Sequence, residues 1–254
     1  SVISEYILSR NSLQILKLKK VKNKINDLSG HVIICGYGRN GAQAVEKLMA
    51  YKKPFVVVEK DREVIEKHED ELLFVEGDAN EDSVLEQAGI ANAKYLITAM
   101  PDDADNLFVV LSARQLNKDL FIISRASQIT SQKKLQLAGA NKVIMPDKIG
   151  GDHMASLVTT PDVIEFVDRL TIEGETTANL EEIDVSDLPK KYLNKTILDL
   201  DLRRQTGCTV IGFKNPDKDY IINPEADLSL SSKGKLIVLG RPEQIEQLNK
   251  MCAQ

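Results

Sequence analysis

Residues 31 to 42, His31-Val32-Ile33-Ile34-Cys35-Gly36-Tyr37-Gly38-Arg39-Asn40-Gly41-Ala42, run from an apolar stretch through a glycine-rich turn into the helical spacing of Ala42, Val45, Leu48 and Met49. An apolar run without polar alternation is what a strand buried on both faces requires. After it, Gly36 permits a tight turn and Gly38 lets the backbone approach a phosphate with no side chain between them. Gly41 allows the helix to pack closely on the strand. The free amides at the start of that helix then face the anion. Three glycines alone are a weak signal, and their place between strand and helix gives them weight.

Similar runs recur at 55–59 (FVVVE), 72–76 (LLFVE), 94–98 (KYLIT), 120–124 (LFIIS) and 142–145 (KVIM), separated by stretches with helical spacing. Such alternation, with right-handed crossovers, predicts an α/β fold: a Rossmann-like, doubly wound parallel sheet of six strands. The second strand ends in Glu59, 18 residues beyond Gly41. A carboxylate there suits the hydroxyls of an unphosphorylated adenosine ribose. It repels a 2′-phosphate, an effect that Lys60 and Arg62 partly offset. Ligands of open α/β sheets bind at the carboxyl ends of the strands, which adds Gly77-Asp78-Ala79 after the third strand and Thr98-Ala99 at the end of the fourth. Asp78 either contacts a nucleoside or serves a Gly-Asp turn. Arg125, after the fifth strand, either reaches phosphates of this subunit's or a neighbour's ligand or forms a surface salt bridge. The candidate nucleotide-binding residues are Gly36, Tyr37, Gly38, Arg39, Asn40, Gly41, Glu59, Lys60, Asp78, Ala79, Ala99 and Arg125.

The 254 residues hold 33 Lys and Arg against 38 Asp and Glu, a formal net charge of −5, and this balance argues against a surface built for nucleic acid. Cys35, Cys208 and Cys252 form no CxxC pair, so neither a disulfide framework nor a zinc site is indicated and a reducing cytoplasm fits. No apolar run approaches the roughly 20 residues that cross a bilayer. A nicotinamide dehydrogenase needs an acid or base beside the hydride acceptor. There is no YxxxK pair, and structural roles are expected for His31, His68 and His153, so the expectation is a protein without catalytic residues. Asp102, Asp103 and Asp105 suit the positive start of a helix more than a cation site, and no metal ligands are assigned.

The chain opens at Ser1 inside a helical pattern (Ile3, Ile7, Leu8, Leu13, Leu16, Val21, Ile25, Leu28), which predicts a continuation from a longer protein. Residues 1 to 29 hold Arg10, Lys17, Lys19, Lys20, Lys22 and Lys24 against Glu5 and Asp27. This is either a solvated helical face or a segment drawn to an anionic leaflet. After Gly150 two helices are expected, at 154–157 and 161–170, separated by Pro161, with His153 in a loop ahead of them. From about Leu180, short strands at 181–185, 208–213, 220–224, 228–230 and 235–240, with helices at 197–205 and 243–251, predict a small α+β domain. The expected organisation is a basic helical linker from a pore region (1–29), a nucleotide-binding domain (30–150), dimerising crossover helices (151–175) and a C-terminal regulatory domain (176–254).

Taken together, HVIICGYGRNGAQAVEKL, VVVEKD, FVEGDAN, LEQAGI, LQLAGANKVIMP and the C-terminal GCTVIGF and LIVLGRPEQIEQL resemble an RCK domain, the regulator of potassium conductance, also written Trk-N followed by Trk-C. The resemblance covers roughly residues 30 to 254. It implies a gating module on the cytoplasmic face of the cell membrane, binding NAD(H), ADP, ATP or AMP. It also implies a homodimer that assembles into a ring acting on a membrane pore domain, fused or separate. A separate regulatory subunit of a Trk/Ktr-type transporter is the alternative, and an NAD-dependent oxidoreductase the more distant one. The glycines, Glu59, Asp78 and Arg125 fall where members of the family hold nucleotide. Calcium-gated members carry carboxylates at the ends of the fourth and fifth strands, where this chain has Ala99, Arg125 and Ser127, so that calcium site is not matched.

Overall fold

The computed structural model describes residues 19–171, 179–192, 195–217 and 219–253. Of the expected leading helix, 1–18 lie outside the described residues, and 19–26 form α1. Its apolar stripe at i, i+4 and i+7 is seated on the first core: Ile25 is buried, with Val21 and Leu28 half-buried beside it.

Six strands follow: β1 (Val32–Cys35), β2 (Phe55–Glu59), β3 (Phe74–Glu76), β4 (Tyr95–Thr98), β5 (Phe121–Arg125) and β6 (Lys142–Ile144). All pairs are parallel, in the order β3-β2-β1-β4-β5-β6. That is the doubly wound Rossmann order, with its topological switch between β1 and β4. Each strand starts within two residues of its expected position. The connecting helices are α2 (Arg39–Ala50), α3 (Arg62–His68), α4 (Asp82–Gln87), α5 (Asp103–Leu116) and α6 (Ile129–Leu137). Because successive strand side chains point to opposite faces, the sheet has a core on each side. Ile33, Cys35, Val56 and Leu96 pack with Leu85, Val109 and Leu135, while Val32, Ile34 and Val57 pack with Val45, Ile65 and Phe74.

The crossover differs from expectation. Its first helix, α7 (Pro146–Thr159), starts at Pro146 and takes in Gly150, Gly151 and His153. Proline preset at a helix start initiates the element, and the two glycines cost about 1 kcal/mol each relative to alanine without stopping it. No residue of α7 is buried. The next helix, α8 (Pro161–Thr171), follows Thr160 as expected.

The chain divides into two compact units between Asp152 and His153. The second unit contains β7 (Asn179–Asp184), α9 (Ile197–Leu200), α10 (Leu202–Thr206), β8 (Thr209–Lys214), β9 (Tyr220–Ile222), β10 (Lys235–Gly240) and α11 (Pro242–Cys252). Its antiparallel sheet, β7-β10-β8-β9, buries Phe213, Leu236 and Val238 against Leu200, Leu202 and Leu248. Two expectations fail locally. The helix at 197–205 is broken at Asp201, whose φ of 43° is left-handed. The run 228–230 forms no strand but a single bridge, Thr196 to Ser229, because Leu230 is drawn into the core instead.

Cys35 lies in the dry centre of the first sheet, and burial pushes its thiol up to about 12 from an ordinary 9.0. The unfolded thiol ionises first, so this contribution to stability is intact below pH 9 and falls by about 1.4 kcal/mol per unit as pH rises towards 12. Native protein at pH 8 is expected to leave Cys35 unmodified by iodoacetamide, with modification appearing only in denaturant, as read by peptide mass.

Candidate functional site

β1 delivers the chain to the carboxyl edge of the sheet at Gly36, whose φ of +93° is a conformation that side chains disfavour. The amide of Gly36 donates to the Val58 carbonyl at 2.8 Å, tying the turn to β2. Gly38 then caps α2 with no side-chain hydrogen bond, and the first turn of the helix holds no acid. Its leading amides are therefore left for an anion. A Cβ added at Gly41 would lie 2.0 Å from the Gly36 carbonyl oxygen, whereas one at Gly38 would meet nothing within 4 Å. Gly41 is required by packing, and Gly38 faces open space.

Glu59 crosses the mouth of this turn. Its carboxylate accepts the Tyr37 amide at 2.7 Å, the Lys60 amide at 2.8 Å and the Asp61 amide at 2.9 Å. A carboxylate has about four acceptor positions, so three amides orient it and leave capacity for a hydroxyl. The Tyr37 ring turns the other way, edge-on to Phe74 at 5.5 Å and to His68 at 5.2 Å. Burial, and then Glu71, push the Tyr37 hydroxyl above its ordinary range. Tyr37 thus contributes backbone to the site and its ring to the core. Arg62, expected to soften the repulsion of a 2′-phosphate, is engaged by Glu66 at 3.0 Å and Glu76 at 3.7 Å.

A cavity of about 320 Å³ opens along these elements. Gly36, Tyr37 and Gly38 form one wall, Val58, Glu59, Lys60, Asp61 and Val64 the second. Gly77, Asp78 and Ala79 after β3, and Ala99, Met100, Pro101 and Asp105 between β4 and α5, complete it. Eight of the residues named from sequence therefore line the cavity: Gly36, Tyr37, Gly38, Glu59, Lys60, Asp78, Ala79 and Ala99. Arg39, Asn40 and Gly41 form the adjoining first turn of α2 and do not. Asp78 also serves its turn, accepting the Asn80 amide at 2.9 Å.

Arg125 is set behind the wall. Its side chain is 14% exposed and lies 3.7 Å from the Asp147 carboxylate, while Nη1 donates to the Met100 carbonyl at 2.9 Å. Nε is buried with no partner. Of its two readings the salt bridge is the one present, made to an Asp147 that is 81% exposed by a guanidinium that is itself largely enclosed.

Sequence reasoning missed Val58, Asp61, Val64, Met100, Pro101 and Asp105. Asp61 carried a signal, since it caps α3 by accepting the Glu63 amide at 2.9 Å. Met100 and Pro101 carried none, because they reach the cavity only through the β4–α5 turn. The three neighbouring acids divide their work. Asp102 caps α5 through the Ala104 amide at 2.6 Å, and Asp105 accepts Asn80 Nδ2 at 3.2 Å. Asp103 accepts the Ser127 and Gln128 amides at 2.7 and 3.0 Å. Burial alone would raise the Asp103 carboxyl, but its bonds from Ser127, Ser131 and Gln128 outweigh that and hold it below its ordinary range. Among the described residues no group of three or more His, Cys, Asp and Glu side chains could hold a metal ion.

Among the described residues no histidine lines the cavity. His31 is fully buried with Nε2 2.9 Å from the Ala88 carbonyl, His68 packs on Tyr37, and His153 is in α7.

The TrkA-N domain family matches residues 32–146, and the TrkA-C domain family residues 180–253. A probable potassium channel protein 2 of Methanocaldococcus jannaschii is 34% identical, covering 99% of this chain and 75% of its own length. The TrkA-N domain of the inner membrane protein YbaL of Escherichia coli is 32% identical with a TM-score of 0.50, over 52% of this chain and 98% of that one. The GsuK channel bound to NAD is 26% identical with a TM-score of 0.49, over 89% of this chain and 39% of that one.

The two glycines make opposite predictions. Gly41→Ala is expected to cost about 1–3 kcal/mol, because a backbone oxygen must move. Gly38→Ala should stay within about 0.5 kcal/mol of the parent. Urea denaturation of both variants checks this.

Proposed function

Because this chain belongs to the TrkA-N and TrkA-C family, we propose that it is the nucleotide-sensing gating module of a potassium channel. An adenine nucleotide or dinucleotide occupies the cavity of the first unit and biases a subunit ring that acts on a membrane pore. The binding half of this reading is carried by one observation: an uncapped helix start and the open face of Gly38 lie beside a carboxylate that three amides hold in place. Phosphate oxygens meet the α2 amides, and the ribose hydroxyls meet Glu59. Glu59 and Asp61 both line the cavity, and Arg62 is already paired, which favours NAD over its 2′-phosphorylated form.

The channel half is supported by the M. jannaschii relative, which this chain matches over three quarters of its length. The role is regulatory. Occupancy moves a pore only through a difference in affinity between two arrangements of the ring. Self-association is supported by exposed apolar side chains on the crossover helices: Ile149, Met154 and Val158 on α7, and Val163 and Phe166 on α8. A cytoplasmic position against the membrane follows from the same reading, and among the described residues no helix is long and apolar enough to cross a bilayer.

Isothermal titration with NAD, NADH, ADP, ATP and AMP tests the proposal. At least one should bind, and Gly38→Asp should abolish binding while the melting curve stays unchanged. Silence from all five, or unaltered binding by the variant, rejects it. Glu59→Gln is expected to narrow the preference for NAD over its 2′-phosphorylated form by about tenfold or more. Turnover of NADH with carbonyl substrates would instead favour an oxidoreductase.

A further inference from the structure

A parallel sheet sends every strand start to one edge, and in this chain lysines gather there. Lys53 precedes β2, Lys94 precedes β4, Lys118 precedes β5 and Lys142 opens β6, and all four are exposed. Lys53, Lys94 and Lys118 precede strand starts that align, while Lys142 lies opposite Ile123, two residues into β5. Val32 pairs with Phe55 and with Tyr95, and Tyr95 with Phe121. The flanking backbone bonds continue that alignment: Val32 amide to Pro54 carbonyl, Lys94 amide to His31 carbonyl, and Phe121 amide to Lys94 carbonyl, each 3.0 Å.

α1 is seated at the same edge. A Cβ at Gly89 would come within 3.3 Å of Ile25 and 3.2 Å of the His31 ring, so α1 and the residue before β1 both approach Gly89. Its solvent half carries Lys19, Lys20, Lys22 and Lys24, all exposed, and 19–26 contain no acid. Among the described residues none of these eight lysines is held in an ion pair. The acids of this edge are Glu69, Asp70 and Glu71, which precede β3 at one end of the sheet, with Asp27, Glu86 and Asp119 nearby.

The opposite edge is acidic, with Glu59, Asp61, Asp78 and Asp105 lining the nucleotide cavity. Residues 1 to 29 hold six bases against two acids, and the rest of the chain 27 against 36. A flexible polyanion able to wrap the domain would meet that acidic remainder, whereas a flat anionic surface touches one edge only.

We propose that the amino edge of the first unit, with the lysine face of α1, is a docking surface for anionic phospholipid headgroups of the membrane. It rests on the reading of this chain as a channel module, which places a bilayer beside it. Each lysine held near an anionic leaflet strengthens binding about fivefold, through an attraction that fades over a Debye length of about 8 Å at physiological salt. The basic edge is drawn to the bilayer and the acidic edge repelled, which leaves the nucleotide cavity facing away from lipid.

Co-sedimentation of the whole chain with phosphatidylcholine vesicles, with and without phosphatidylglycerol, tests this. Binding is expected only with phosphatidylglycerol and should weaken as salt rises. Lys19, Lys20, Lys22 and Lys24 changed together to Gln should lose several hundredfold, about fivefold per charge, while four changes to Arg retain binding. Failure of the parent to bind anionic vesicles, equal binding to neutral ones, or equal binding by the Gln variant overturns the proposal. So does equally tight binding of a short DNA duplex, which would mark a general polyanion surface. The four lysines are exposed, so the melting curve should not move. Nucleotide titration of the same samples separates the two readings: lost vesicle binding with nucleotide binding retained rejects only the docking surface, and the reverse result rejects only the sensor.

Discussion

A methyl group at position 41 would stand 2.0 Å from the carbonyl oxygen of Gly36, and much of the first unit depends on that close approach. It lets α2 begin directly against the end of β1, so the open amides of the helix lie over the sheet edge and not several ångströms beyond it. The same turn is held from the other side by the Gly36 amide on Val58 and the Tyr37 amide on Glu59. Two strands and a helix are therefore fixed to one another through the six residues 36–41. A site that holds one ligand through groups on different elements needs that fixity.

The elements of this unit were legible because local preference and burial agree. Runs such as Val56-Val57-Val58 favour strands and are also fully enclosed, so nothing overrides the pattern. Where the two part, the reading fails. Gly150 and Gly151 suggest a loop, yet α7 passes through them because Pro146 initiates it and the chain continues helical. Leu228-Ser229-Leu230 has strand character, but Leu230 belongs to the core and only Ser229 makes a bridge. Asp201 interrupts an otherwise helical stretch with a left-handed backbone, which a short polar side chain tolerates and which no periodicity reveals.

The site was legible in proportion to how local it is. The glycine turn and Glu59 are set by spacing along the chain. The grip of the Tyr37 amide on Glu59 joins residues 22 apart, and the tie from Asp103 to the turn before α6 spans a comparable distance. Neither follows from a motif. Arg125 shows the difference most clearly. From sequence it is a cation at a strand end, free for a ligand or a surface partner. In the fold its guanidinium is largely enclosed, bonded to the Met100 carbonyl and near Asp147 on α7. It connects the cavity wall to the helix that leaves the unit, a place that only the packed structure assigns.

Parallel topology also explains how a chain of modest net charge comes to have two unlike faces. In an antiparallel sheet, residues before and after strands mix at each edge. Here every residue preceding a strand goes one way and every residue following one goes the other. Lysines before β2, β4 and β5 and acids after β2, β3 and β4 look interleaved along the sequence, and folding sorts them into a basic edge and an acidic one. The acids surround the cavity, and hydrogen-bond donors of the fold already engage them. Asp61 and Asp78 each accept a backbone amide, Asp105 accepts Asn80 Nδ2, and Glu59 accepts three amides. Their charge is met within the fold, while the amides at the start of α2 are not. An anion placed there would find those amides unengaged by the surrounding carboxylates.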